Sequence, residues 1–301
     1  MLCFILLVSY TCSTSFWITC GMVYSIITLI GILCISIRTS YEYDRYTFYK
    51  TSEIPAIIYT YWHSEQIPPS VKKCIDSWKR HVKNYTIHVI NEKNLQKYIN
   101  KSLLKKIKNG YTHQQRADLI RLEVLKHTGG FWLDATIYLN QSLDWVHAYQ
   151  RAEQSEYVGF KLNSVQTTST PVVENWFMAS IPNSAFIQDW SREFSAIVQY
   201  PTEREFVTAL RNKQVDFQGI SDPYYLTMHI SCLSILKHNS YALSLLVTEE
   251  GPYKYMNYFY TTTLSFPFVV LFLQGTESPL IKWRGMERNI IEWCGLYHLL
   301  T

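Results

Sequence analysis

An α/β fold, a mainly parallel sheet flanked by helices and preceded by one transmembrane helix, is predicted by three features of the sequence. Strand-like and helix-like apolar patterns alternate from Ile54 to Ile99, an order that implies parallel strands joined by right-handed crossovers. The stretch Thr112 to Leu139, THQQRADLIRLEVLKHTGGFWLDATIYL, reads as a capped helix, a glycine stop and a short buried strand ending at an aspartate. Ahead of both, Met1 to Ile37 carries no charged side chain.

At the amino terminus, Phe16 to Ile37 is apolar for long enough to cross a bilayer. A cleaved signal peptide would have a basic n-region and a shorter apolar run, and a buried core helix would show a polar face. Met1 to Tyr10 is also apolar, which leaves a second short segment open. The organisation predicted is a membrane anchor over 1–37 with the span at 16–37, a tyrosine-rich stem over 38–53 and one domain over 54–301. Arg38, Arg45 and Lys50 follow the span and nothing basic precedes it, so the positive-inside rule puts the domain in the cytosol. The sequons at Asn84, Asn100 and Asn140 fit a Golgi-type luminal domain instead, and orientation stays open.

With 301 residues, 48% of them hydrophobic, the chain can bury a sizeable core. A net charge of +4 is too mild for nucleic-acid binding. Of seven cysteines, only Cys74, Cys232 and Cys294 lie beyond the membrane segment, widely spaced and odd in number. That excludes a disulfide framework and a cysteine zinc site.

Ala56 to Tyr61 reads as the first strand, ending at Trp62 and His63. After Pro68-Pro69, the residues Val71, Ile75, Trp78 and Val82 mark an amphipathic helix, and Tyr85 to Ile90 a second strand. Asn91 is placed to cap a helix through Leu95, Tyr98 and Ile99.

The central helix is predicted from about Gln114 to about Thr128. Thr112 and Gln115 have capping-box spacing, and Gly129-Gly130 supplies the stop. At roughly 100° per residue, Glu123, Lys126 and His127 share a polar side, whereas Asp118 and Arg121 fall among Ala117, Leu122, Val124 and Leu125. Charges facing inward must be paired or used. They can satisfy each other at i,i+3, or serve a ligand. Phe131 to Leu133 then reads as an interior strand with Asp134 at its carboxyl end, the edge where open α/β sheets bind ligands. Asp118, Arg121 and Asp134 can therefore converge on one crevice, with Trp62 on the same edge.

The pattern R-A-D-L-x-R, then G-G, then W-L-D-A-T resembles the DXD sugar-binding region of glycosyltransferase family thirty-two, especially its capsular polysaccharide synthesis branch, from Ile54 to about Leu143. The resemblance implies a GT-A-type, Rossmann-like domain that uses a nucleotide-diphosphate sugar, UDP- or GDP-linked, as donor. By the same resemblance Asp118 and Arg121 hold donor-sugar hydroxyls, Asp134 matches the first aspartate of D-x-D, and Trp62 stacks on the base. Trp132 matches an aromatic lining position, with a core role as its alternative. His63 is given no role. Thr136 stands where the second aspartate usually binds Mn²⁺ or Mg²⁺, and a hydroxyl is a weaker ligand for a hard cation. Two arrangements stay open: a metal held by Asp134 with the diphosphate and another carboxylate, or basic residues in its place.

Tyr157 to Phe160 reads as a strand. Asn175 opens a segment resembling the family's N-x-x-M-A-x-x-P and is expected on the acceptor side. Helical stripes run through Ile187, Trp190, Phe194 and Ile197, and through Leu226, Ile230 and Leu233. Leu264 to Leu273, interrupted by Pro267, reads as a buried strand. Ile281 to Gly285 reads as a loop whose Lys282 and Arg284 close over a diphosphate, with a solvated basic turn as the alternative.

These expectations sum to a membrane-anchored hexosyltransferase acting on a saccharide, glycolipid or glycoprotein acceptor. The branch resembled retains anomeric configuration, so no dedicated base is expected. The rival is a noncatalytic, membrane-tethered relative that binds glycan or nucleotide.

Overall fold

The computed structural model describes residues 52–107, 110–163, 170–255 and 278–300. The predicted span 16–37, residues 38–51 of the stem and the predicted strand at Leu264 to Leu273 lie outside them. No helix among the described residues is long and apolar enough to cross a membrane.

The central sheet is built from β1 (Ile57–Tyr61), β2 (Thr86–Ile90), β3 (Gly130–Leu133), β5 (Tyr157–Leu162), β6 (Val172–Ser180) and β7 (Leu243–Val247), in the order β2-β1-β3-β6-β5-β7. Five strands run one way and β6 runs against its neighbours β3 and β5. The sheet is thus mixed and mostly parallel. The reversal of β6 was not legible in the N-x-x-M-A segment. Its cause is the connection from β5, nine residues long, which is too short for the crossover a parallel pair needs. A separate antiparallel pair joins β4 (Ile137–Leu139) to β8 (Leu280–Lys282).

Helix α1 (Pro69–His81) starts on the predicted proline and buries Val71, Ile75 and Trp78. It also anchors β4: the Trp78 indole donates to the Ile137 carbonyl at 2.8 Å, and Leu139 N–H donates to Ser77 Oγ at 2.9 Å. The helix expected after Asn91 does not form. Asn91 Oδ1 accepts from Lys93 and Asn94 N–H in a local turn, and only a single 3₁₀ turn, Leu95–Lys97, follows. The cap lies later, where Asn100 Oδ1 accepts from Leu103 N–H at 2.7 Å and opens α2 (Lys101–Lys106).

The central helix, α3 (His113–Thr128), carries the predicted capping box at Thr112 and Gln115. Its predicted polar side is only partly real. Glu123 is buried, because the Asn100 side chain and Lys126 both reach its carboxylate. α4 (Asp144–Glu153) follows β4, and α5 (Ala185–Ser195), α6 (Glu203–Asn212) and α7 (Thr227–His238) cover one face of the sheet. α5 and α7 are the two predicted stripes. The last described helix is α8 (Gly285–Trp293).

Alternation along β3 divides the core in two. Phe131 and Leu133 pack with Ile58, Trp78 and Phe177 beneath α1, whereas Trp132 packs with Ile120, Met178 and Trp190 beneath α3, α5 and α7. Gly130 lets β3 reach β1. Its φ is +96°, and a Cβ there would lie 2.7 Å from the Ile57 carbonyl oxygen. Gly130→Ala is expected to cost about 2–3 kcal/mol through strain and that contact, read as a lowered urea midpoint. An unchanged midpoint would show that β1 and β3 can move apart.

Candidate active site

The site forms where β3 ends. Period-two alternation returns Asp134 to the Trp132 side of the sheet, the side covered by α3, and the indole Nε1 donates to Asp134 Oδ1 at 3.0 Å. The main chain is held as well, since Asp134 N–H donates to the Trp176 carbonyl at 2.8 Å. From α3, Arg121 Nη2 lies 3.1 Å from Asp118 Oδ1 and 3.4 Å from Asp134 Oδ1. One guanidinium therefore ties a carboxylate on its own helix to one at the sheet edge. The same group donates through Nη1 to the Asn175 carbonyl and through Nε to the Ala117 carbonyl, and lies 5.1 Å from the Trp132 ring centroid. Of the two readings of the inward charges, the pairing of Asp118 with Arg121 at i,i+3 is present, and it extends to Asp134.

Asn175 comes from an irregularity in β6. Between Gly159 and Lys161 of β5 the facing residues on β6 move from Met178 to Val173, so residues 174–177 leave the ladder. This frees Asn175 Nδ2 to donate to Asp118 Oδ1 at 3.1 Å. Asn175 thus belongs to the charged cluster through both its amide and its carbonyl.

Lys282 reaches the cluster from a place the sequence reading did not foresee. Residues 280–282 form a strand instead of a loop, and its pairing with β4 sets Lys282 opposite Ile137, close to Asp134 and Thr136. Its ammonium donates to Asp134 Oδ2 at 2.7 Å and to Thr136 Oγ1 at 2.9 Å. Arg284 caps α8 and is turned toward Glu287, with Nε 3.0 Å from Oε1.

A cavity of about 800 Å³ opens over this edge, within the range of small-molecule sites. Trp62, Arg121, Asp134, Thr136, Asn175, Lys282 and Arg284 all line it. Asp118 and Trp132 do not; both are buried behind its wall, so of the two places open to Trp132, lining and core, it takes the core. Trp132 orients Asp134 from below. The sequence reading missed Glu174, His229 and Arg288, which also line the cavity. His229 Nε2 lies 3.2 Å from Glu174 Oε2, and the Arg288 guanidinium lies 5.5 Å from the Trp62 ring centroid. Arg288 follows Arg284 at helical spacing, a signal the sequence did carry. Glu174 and His229 sit inside apolar stretches and gave none.

The two aspartates titrate in opposite directions. Burial pushes Asp118 up, and Arg121 and His229 offset it only in part. Burial also pushes Asp134 up, but Lys282 and Arg121 outweigh it and hold that carboxyl below its ordinary value. Asp134 is therefore firmly ionised, and it carries two cations.

A divalent metal does not fit this donor set. Between Asp134 and Thr136 the only carboxylate is that of Asp134, its Oδ2 is taken by an ammonium, and the same ammonium occupies the Thr136 hydroxyl. The other carboxylates lining the cavity, Glu174 and Asp222, are engaged by His229 and by the Tyr224 and Tyr225 N–H groups. A hard dication prefers several oxygen ligands and would meet like charge at this point. Among the described residues no group of three or more His, Cys, Asp or Glu is placed to hold a metal ion.

Comparison with known proteins places the chain among relatives. It is 25% identical over 157 residues to an O-glycosyltransferase, braB, of Annulohypoxylon truncatum, and the match spans 46% of this chain and 37% of that protein's length. The galactosyltransferase LgtC, solved with donor and acceptor sugar analogues, superimposes with a TM-score of 0.44 at 10% identity, over 81% of this chain and 96% of that one. The apo form of the glycosyltransferase GlyE from Streptococcus pneumoniae TIGR4 gives 0.41 at 12% identity, over 82% of this chain and 63% of that one. Residues 32–215, more than half of the chain, match the family of capsular polysaccharide synthesis proteins, and the chain belongs to that family.

Proposed function

We propose that the chain is a glycosyltransferase that moves a hexose from a nucleotide-diphosphate sugar to a saccharide or glycoconjugate acceptor. One observation carries the reading: Arg121 joins Asp118 and Asp134 at the wall of a cavity that also contains an indole, Trp62. Carboxylates fixed by a guanidinium accept hydrogen bonds from sugar hydroxyls, and an aromatic face takes a base without demanding one hydrogen-bond pattern. Asp134 and Arg121 would hold the hexose, with Asp118 fixing the guanidinium from behind, and Trp62 would hold the base under Arg288.

In this reading the bond from the anomeric carbon to the diphosphate oxygen breaks while one to the acceptor oxygen forms. Cations at the cavity wall stabilise the departing diphosphate, and the fixed sugar exposes its anomeric carbon. The family resemblance implies retention of configuration. The amino-terminal span at 16–37 would tether the domain to a membrane, in line with a glycolipid or other glycoconjugate acceptor.

Incubating the purified chain with UDP- and GDP-sugars, with and without candidate acceptors, tests the reading. Release of nucleotide diphosphate with at least one donor is expected, and binding without turnover of any donor would favour a noncatalytic relative. Trp62→Ala should raise KM for that donor about tenfold, within the roughly 1–3 kcal/mol of a base stack, with little change in kcat. An unchanged KM would remove Trp62 from the donor site.

A further inference from the structure

We propose that Lys282 takes the place of a divalent ion at this site: its ammonium is the cation that meets the donor diphosphate, and donor binding needs no metal. The inference rests on the reading that a nucleotide diphosphate occupies the cavity.

Charge balance gives the first reason. Two carboxylates in an Asp-x-Asp pair need a dication to neutralise them, whereas Asp134 with a neutral Thr136, once Arg121 is balanced by Asp118, needs a single further positive charge. Lys282 supplies it, bridging the two side chains at 2.7 and 2.9 Å. A threonine with an ammonium thus leaves the same local charge as a second aspartate with a dication.

Construction is the second reason. A lysine is seldom buried unless it is paired, and Lys282 is 8% exposed. Its position is fixed by two paired elements: β8 pairs with β4, and β4 is fastened to α1 by Trp78 and Ser77, while Ile137, Leu139 and Leu280 anchor both strands in the core beneath the sheet. Trp283 N–H donates to the Thr136 carbonyl and Tyr255 Oη to the Lys282 carbonyl, so the backbone on either side of the ammonium is held as well. Surface lysines are not built this way.

The third reason is the unused valence. An ammonium has three N–H donors; two are taken by Asp134 and Thr136, and among the described residues the third has no acceptor. Lys282 also lines the cavity. A phosphate oxygen can accept that bond while Asp134 and Thr136 keep the nitrogen in place. Lys282 lies beyond residues 32–215, the part of the chain that matches the family, so the cation is contributed by a segment outside the match.

Calorimetric titration of the chain, in detergent, with UDP and GDP tests this, once in EDTA and once in excess Mn²⁺. Affinity for the preferred nucleotide is expected to agree within twofold between the two buffers. Lys282→Ala should weaken it at least tenfold in EDTA and recover part of the loss in Mn²⁺, because Asp134 is then open to a metal. Lys282→Arg keeps the charge and should lie between the two. Wild-type binding that appears only with Mn²⁺ overturns the inference while leaving the transferase reading intact. Equal affinity of the wild type and a folded Lys282→Ala overturns it too, and so does failure of the wild type to bind either nucleotide in both buffers, which also removes the transferase reading. The wild-type comparison between buffers stands even where Lys282→Ala does not fold.

Discussion

Arg121→Met is expected to cut sugar transfer by orders of magnitude and to lower stability by about 3–5 kcal/mol, the cost of leaving buried charge without its partner. Arg121 is 4% exposed, and its guanidinium serves Asp118, Asp134 and the carbonyls of Ala117 and Asn175 at once. Methionine fills much of the volume and satisfies none of these acceptors. Among the described residues Asp118 would keep only the Asn175 amide, and the Asp134 side chain only Lys282 and the Trp132 indole. For a folded unit of about this size the loss corresponds to a fall in melting temperature on the order of 10 °C, measurable by calorimetry. Transfer, assayed well below the melting transition, should fall about 10³-fold, at the upper end of what one lost charge-stabilising donor costs. Arg121→Lys should restore little, because a point charge cannot span two carboxylates and two carbonyls. Near-normal transfer by either variant would mean that the cluster only holds α3 to the sheet.

Much of this site was legible because its parts are local. Thr112 and Gln115 lie one turn apart, Asp118 and Arg121 three residues apart on a wheel that puts them inward, and Asp134 ends a strand bounded by Gly129-Gly130. Each reading used the geometry of one element, so each survived. What failed depended on distant partners. Glu123 looked solvent-facing until Asn100 and Lys126 closed over it. Lys282 looked like a loop residue because β8 is three residues long and exists only by pairing with β4, well over a hundred residues earlier. Glu174 enters the cavity through the break in the β5–β6 ladder, and a break in register leaves no mark on hydrophobic periodicity. Trp132 is the converse case. Its motif position suggested a cavity wall, but alternation on β3 directs it into the core, where its indole N–H still reaches Asp134.

Asp118→Asn and Asp134→Asn should move stability in opposite directions at neutral pH while both lower transfer, by about 10²-fold or more. Asp134 has a folded pKa below its unfolded value, through Lys282 and Arg121. Its contribution is therefore present above the ordinary carboxylate range and is lost as pH falls through the depressed value. Asp118 has a folded pKa above its unfolded value, through burial. Between those two values the folded state holds the proton more tightly, so stability declines as pH rises, and the deficit persists at neutral pH. Removing the charge of Asp134 forfeits a stabilising term and strands Lys282 and Arg121, whereas removing that of Asp118 relieves a cost and leaves an amide oxygen for Arg121 and Asn175. Urea unfolding from acid to neutral pH separates the cases: the Asp134→Asn deficit should be near full at neutral pH and shrink as pH falls below the ordinary carboxylate range, whereas Asp118→Asn should gain on the wild type as pH rises above that range. A carboxylate kept at a stability cost, yet needed for transfer, is what a binding site demands of its ionised groups. If Asp118→Asn gains stability and keeps full transfer, Asp118 is only the structural partner of Arg121 and the donor is held by Asp134 without its help.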